Sequence, residues 1–134
     1  MELNNNENEQ EALEAAPEPQ IIRQTRTDDE VAVVEVQGEV DLATTPQLAS
    51  ALYEAAGTGL QVIVDLSAVT YMDSSGFGTL LGATKKLRPG GETLYLVGCS
   101  ANIERMLVIT RLNTIFSIHR TEAEARAAIA AGAG

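Results

Sequence analysis

The sequence predicts an α/β fold built on a largely parallel sheet, and three observations carry that reading. Short β-branched runs alternate with helical patterns from residue 21 to 131, the spacing of successive strand–helix units. The run Gln61-Val62-Ile63-Val64-Asp65-Leu66 is apolar on both alternating faces, as a central strand covered on both sides must be. Helix start and stop signals bracket the segments between strands; the clearest is Thr121-Glu122-Ala123-Glu124, a capping box.

The elements follow in order. Residues 21–27, closed by Asp28-Asp29, predict an edge strand in a hairpin with Val31-Ala32-Val33-Val34-Glu35-Val36, which Gly38 closes. Thr44 or Thr45 caps a helix with Pro46 in its first turn and Leu48, Ala51, Leu52 and Ala55 on one face, and Gly57 stops it. The central strand comes next, then a loop, then a helix over 75–87 that ends at Arg88-Pro89-Gly90-Gly91. Thr93-Leu94-Tyr95-Leu96-Val97 reads as a strand, and Ser100 caps a helix bearing Ile103, Met106 and Leu107. Residues 115–118 form a short last strand, and the capping box opens the final helix. The sum is a mostly parallel sheet of four to five strands packed with about four helices.

Composition narrows the classes. The chain has 134 residues and a formal charge of −10, against a binder that blankets nucleic-acid phosphates with positive charge. Six acids and no base lie in residues 1–20, a segment too poor in large apolar side chains to offset its ordering entropy; it reads as a disordered acidic tail ahead of one domain over 21–131. A single cysteine, Cys99, leaves no internal disulfide and no four-ligand zinc site. With no apolar run near the ~20 residues that span a bilayer and no signal-peptide pattern, a cytoplasmic protein without membrane attachment is expected.

In parallel sheets, sites gather beyond the carboxyl ends of the strands. The segment after the central strand reads Thr70-Tyr71-Met72-Asp73-Ser74-Ser75-Gly76-Phe77-Gly78, with Gly82 a turn later. Its spacing misses the dinucleotide fingerprint, the phosphate-binding P-loop and the nucleophile elbow. The lone histidine, His119, has no motif around it, so no base–nucleophile pair is legible and no enzyme or cofactor is expected. Asp73, Ser74 and Ser75 serve equally well as helix-capping residues or as a modification site. Three glycines early in a helix each cost ~1 kcal/mol relative to alanine, which points to close approach by a neighbouring helix or a partner. A phosphate on a serine here would add about −1.5 to −2 charges at a helix end, a binding switch that leaves the fold intact.

Tyr71-Met72-Asp73-Ser74-Ser75-Gly76-Phe77-Gly78, with Gly38-Glu39-Val40-Asp41 upstream, closely resembles the STAS domain of anti-sigma factor antagonists, over roughly residues 21–131. The resemblance implies a bacterial partner-switching cycle. The unmodified antagonist binds an anti-sigma factor that is also a serine kinase, frees the sigma factor, is phosphorylated from ATP at the position matching Ser74, and is reset by a PP2C-type phosphatase. It further implies that Asp73 orients the loop and contributes to kinase recognition, that Ser75 caps the helix, and that Asp41 shapes the docking surface beside Ser74. Gly76 and Gly78 would admit a partner closely, and Phe77 stands where the family more often has leucine. Two alternatives share the fold: a scaffold or accessory STAS subunit that is not switched, and a module that binds a nucleotide or anion at the helix N-terminus.

Overall fold

The computed structural model describes residues 19–87 and 93–132. The expected acidic tail therefore lies, apart from Pro19 and Gln20, outside the described residues, as does the helix stop expected at 88–91. Strand alternation sorts the apolar residues onto two faces. Val31 and Val33 cluster with Ile63, Tyr95 and Val97, whereas Ala32, Val34 and Val36 join a larger cluster with Val62, Val64, Leu66, Leu94 and Leu96. Both faces of the central strands are thus dry, which is why their sequences are continuously apolar.

Five strands, β1 (Ile22–Thr27), β2 (Val31–Val40), β3 (Gln61–Met72), β4 (Leu94–Val97) and β5 (Ser117–His119), lie side by side in chain order. β1 pairs antiparallel with β2 at the edge, as expected, and every other pairing is parallel. Three helices connect successive parallel strands: α1 (Thr45–Ala56), α2 (Ser74–Leu87) and α3 (Ala101–Ile109). When strand order follows the chain, right-handed crossovers put every connecting helix on one face. Leu48 and Leu52 of α1, Phe77 and Leu80 of α2, and Ile103 and Leu107 of α3 accordingly share one core cluster. The fourth helix, α4 (Glu122–Ala130), follows the last strand and is free of that rule; it covers the opposite face through Ala125, with Ala128 and Ile129 beside it.

Several boundaries move. β2 passes through Gly38 to Val40, and β3 runs on to Met72, so most of the expected loop is strand. The reason is a pair of irregularities in their register: Glu35 pairs with Asp65 but Gln37 with Ala68, and Gly38 pairs with Val69 but Glu39 with Tyr71. Each step gives β3 one residue more than β2, and a bulge of this kind reverses which face the following side chains take. Val69 and Met72 consequently enter the core while Tyr71 is exposed. Gly98, at the end of β4, has φ +71°, and an added Cβ would lie 2.7 Å from Ser67 Cβ, so the path around the first bulge requires glycine. Thr44 occupies the N-cap of α1 but makes no side-chain cap bond, and Met106 of α3 is 40% exposed while Ile103 and Leu107 are buried. The last strand begins at Ser117 because Leu112–Thr114 forms a 3₁₀ turn ahead of it.

α4 is held by charge as well as by its small apolar face. Half of the capping box forms as expected: Thr121 Oγ1 accepts from Glu124 N–H at 3.1 Å, whereas the Glu124 carboxylate reaches past the N-cap and accepts from Arg120 N–H at 3.1 Å. An ion-pair ladder then ties the helix to the hairpin. Arg26 bridges Glu35 and Glu122, and Arg126 bridges Glu122 and Asp28. Asp28 also accepts from the backbone N–H groups of Val31 and Glu30, which, with Arg126, hold its pKa down to about 2. Because the folded value lies below the ordinary 3.8, this contribution to stability is complete above about pH 4 and is lost as pH falls toward 2. Urea denaturation as a function of pH should show the wild type losing stability across that interval, and Asp28→Asn should lose less across it.

Candidate functional site

The register of β2 and β3 positions the site. Val40 pairs with Met72, so the chain leaves both strands at the same sheet end, Asp41 from one and Asp73 from the other. Asp73 N–H donates to the Val40 carbonyl at 3.1 Å, tying the start of α2 to β2. Only Asp73 separates β3 from α2, and it is the N-cap. Its Oδ1 accepts from the N–H groups of Ser75 at 2.9 Å and Gly76 at 3.3 Å, and from the Ser75 hydroxyl. The cap expected of Ser75 belongs to Asp73, because the residue preceding the first helical turn is the one whose side chain can reach back-to-front across these amides. Hydrogen bonding from the Ser75 hydroxyl, reinforced by the Gly76 and Ser75 amides, holds the Asp73 carboxyl below the usual aspartate range and outweighs the opposing effect of burial.

Ser74 is left as the first residue of α2, exposed, with no hydrogen bond to its hydroxyl among the described residues. Its neighbours differ. Ser75 is half-buried and committed to Asp73, while Thr79 donates its hydroxyl to the Ser75 carbonyl at 2.9 Å. Gly76 and Phe77 face inward. A Cβ on Gly76 would come within 2.5 Å of Met72 Cγ and 3.0 Å of Val40 Cγ1, so the close approach glycine permits there is to the chain's own core. Gly78 is exposed and open, and a Cβ on Gly82 would make ordinary contact with the Tyr53 hydroxyl at 3.6 Å, the α1–α2 packing anticipated for that glycine.

Asp41 is half-buried and works locally. Its Oδ1 accepts from Ala43 and Thr44 N–H and from the Thr44 hydroxyl, at 3.1–3.2 Å, while its own N–H donates to Thr44 Oγ1 at 3.0 Å. This turn leads into α1 and leaves Leu42 76% exposed beside it.

A cleft of about 390 Å³ opens between α2 and α3, with Asp73 and Ser74 on one rim, Asn102 and Met106 on the other, and Tyr71 and Ile103 among its walls. Among the described residues its lining contains no lysine, arginine, histidine or cysteine. Sequence reasoning gives Tyr71 only as part of the motif, Met106 only as a core position of its helix and Asn102 no role; the available signal for their place here is that Ser100 caps a helix at the carboxyl end of β4, the same sheet end as Ser74. Cys99, half-buried nearby, has its thiol pushed up to about 11 by burial and by the Glu104 carboxylate, a poor nucleophile. His119 sits at the end of β5, with Nε2 2.8 Å from the Ser117 hydroxyl and its ring stacked on Tyr95 at 5.9 Å. Among the described residues no helix is long and apolar enough to cross a membrane.

The family model of the STAS domain matches residues 23–125, most of the chain. The chain belongs to the STAS domain family. Anti-sigma-B factor antagonists of Staphylococcus aureus and Staphylococcus epidermidis are 36% and 37% identical to it over 103 residues, which cover 75% of this chain and 95% of each relative. The crystal structure of an anti-sigma factor antagonist from Mycobacterium paratuberculosis, 28% identical, superposes with a TM-score of 0.71 over 78% of this chain and 90% of that one. In this domain the first turn of α2 splits into inward and outward residues, and single glycine substitutions should separate the two. Gly76→Ala should lose about 1–2 kcal/mol, overpacking Met72 and Val40 by more than the helix-propensity gain. Gly78→Ala, in open space, should gain up to about 1 kcal/mol. Urea denaturation of the two variants checks both signs.

Proposed function

We propose that this STAS domain is an anti-sigma factor antagonist switched by phosphorylation of Ser74. The observation that carries the reading is the contrast between adjacent hydroxyls: Ser75 is bonded to the N-cap carboxylate, and Ser74 is exposed with its hydroxyl unengaged among the described residues. The curated relatives, named as antagonists of an anti-sigma factor, support the partner class. In the unmodified state the partner, an anti-sigma factor with serine kinase activity, docks on the sheet end formed by Asp41, Asp73, Ser74, Ser75 and Gly78. Gly76 and Phe77 support that surface from beneath, and the exposed Leu42, Tyr71 and Met106 add apolar area to it. Docking releases the sigma factor in the cytoplasm.

The chemistry balances simply. Ser74 Oγ attacks the γ-phosphorus of the kinase's ATP, the bond to the β-phosphate oxygen breaks, ADP leaves, and the serine proton passes to a base on the kinase. A PP2C-type phosphatase returns serine and inorganic phosphate with water as the attacking group. The dianion on Ser74 meets a rim that already carries Asp73, and any partner surface packed there must desolvate it. The anion-binding alternative finds less support, since Asp73 already engages amides at the start of α2.

Incubation with the anti-sigma factor kinase of the same organism and ATP should add one phosphate, located at Ser74 by mass spectrometry; modification of Ser75 instead would overturn the site. Ser74→Ala should retain the affinity of the unmodified protein in titration calorimetry, and Ser74→Asp should bind at least about tenfold more weakly, a loss of ~1.4 kcal/mol. Equal affinities would favour an unswitched scaffold.

A further inference from the structure

The start of α2 permits a complete accounting of its backbone donors. A helix leaves its first four N–H groups without intrahelical partners, and a phosphate at such a terminus is ordinarily captured by them. Here three of the four are taken. Asp73 N–H donates to the Val40 carbonyl, and the Ser75 and Gly76 N–H groups donate to Asp73 Oδ1. Gly76 N–H also shares the Asp73 carbonyl at 3.0 Å, and the Ser75 hydroxyl adds a further bond to the same carboxylate. Only the Ser74 N–H remains without a partner among the described residues. Among the described residues, the cleft that Ser74 borders offers no cation in compensation, since its lining contains no lysine, arginine or histidine.

Resting on the reading that Ser74 is the modified residue, we infer that Asp73 holds the phosphate of phosphoserine 74 away from the helix N-terminus and displays it to the partner. Asp73 is in this sense a positioning residue. An anion fills the terminus before the phosphate arrives, so the new charge finds the Ser75 and Gly76 amides taken and the helix dipole already offset by a carboxylate. It stays solvated and beside a carboxylate of the same sign. Two consequences follow: modification leaves the stability of the domain nearly unchanged, and the partner meets the dianion undiminished. If Asp73 were absent, Ser75 and Gly76 N–H would be vacant and the phosphate would replace the missing cap, stabilising the domain while partly neutralising the signal.

The test needs no kinase, because phosphoserine can be inserted at position 74 during translation. Four proteins are compared by thermal melting and by amide proton NMR: wild type and Asp73→Ala, each with serine or phosphoserine at 74. Asp73→Ala with serine should melt about 4 °C lower, as expected for a lost N-cap. Phosphoserine in the wild type should move the melting temperature by less than about 1 °C and leave the Ser75 and Gly76 amide protons near their unmodified shifts. Phosphoserine in Asp73→Ala should recover most of the lost 4 °C or so and move both amide protons downfield, the signature of bonding to phosphate. Asp73→Gly, which retains most of the stability of a capped helix, gives the amide-proton comparison if the alanine variant folds poorly. A rise of several degrees in the phosphorylated wild type with downfield Ser75 and Gly76 amides would overturn the inference, because the phosphate would then have displaced Asp73. Ser75 and Gly76 amide protons left unmoved by phosphoserine in both Asp73 variants would overturn it equally. Neither result depends on which residue a kinase modifies, so the assignment of Ser74 as its target stands or falls separately.

Discussion

The parallel pairing of β2 with β3 is the constraint on which the rest of this molecule depends. Over residues 31–36 and 61–66 both strands are covered on two sides, so their backbone groups have no solvent alternative and the ladder there must be complete. Completing it to the carboxyl end requires the two extra residues that β3 accommodates as bulges, and these determine which side chains emerge. Met72 is drawn into the core, Tyr71 is turned out, and Asp73 arrives where its N–H meets the Val40 carbonyl. The position of α2, and with it the orientation of Ser74, follows from that one bond and the cap that continues it. Gly76 is the steric counterpart of the same constraint, because any side chain there would collide with Met72 and Val40, the last paired residues of the ladder.

Charge is distributed according to a different logic. On the face covered by α4, charges are paired in a ladder from Asp28 through Arg126, Glu122 and Arg26 to Glu35, and they supplement a small apolar contact. Exposed pairs of this kind are individually weak, and their effect lies in linking a short terminal helix to a hairpin distant in sequence. At the Ser74 end Asp41 and Asp73 have no ion pair among the described residues; both are consumed in turns and caps. The negative potential there is a by-product of building two helix starts side by side. Under the proposed switch, a phosphate on Ser74 would add a dianion to a rim that already carries these two carboxylates.

Much of this was legible in the chain. The double-faced apolar runs 31–36 and 61–66, Pro46 in the first turn of α1 and the capping box at Thr121 each report a local requirement that no distant contact alters. The motif around Ser74 was equally plain, because it lies in eight consecutive residues. The strand ends were not legible: Ser67 to Tyr71 do not alternate, and their pairing partners are some thirty residues upstream, where Gly38 looks like a stop. The exposure of Met106 escaped for a related reason, since periodicity assigns a face to a helix but not the width of what covers it.

The sequence by itself determined the order of strands and helices, the burial of the central sheet and the residues from which the start of α2 is made, because propensity, alternation and capping act over a few neighbouring positions. The tertiary structure alone decided which member of Asp73-Ser74-Ser75 does which task. The capping role passed to Asp73, Ser75 became its donor, and Ser74 was left outward, because the helix enters at the angle imposed by β3 pairing with β2. The same packing brought Tyr71, Asn102 and Met106 to one cleft with Ser74 across thirty residues of chain. Such juxtaposition depends on sheet register and crossover geometry, neither of which is written in any short stretch of residues.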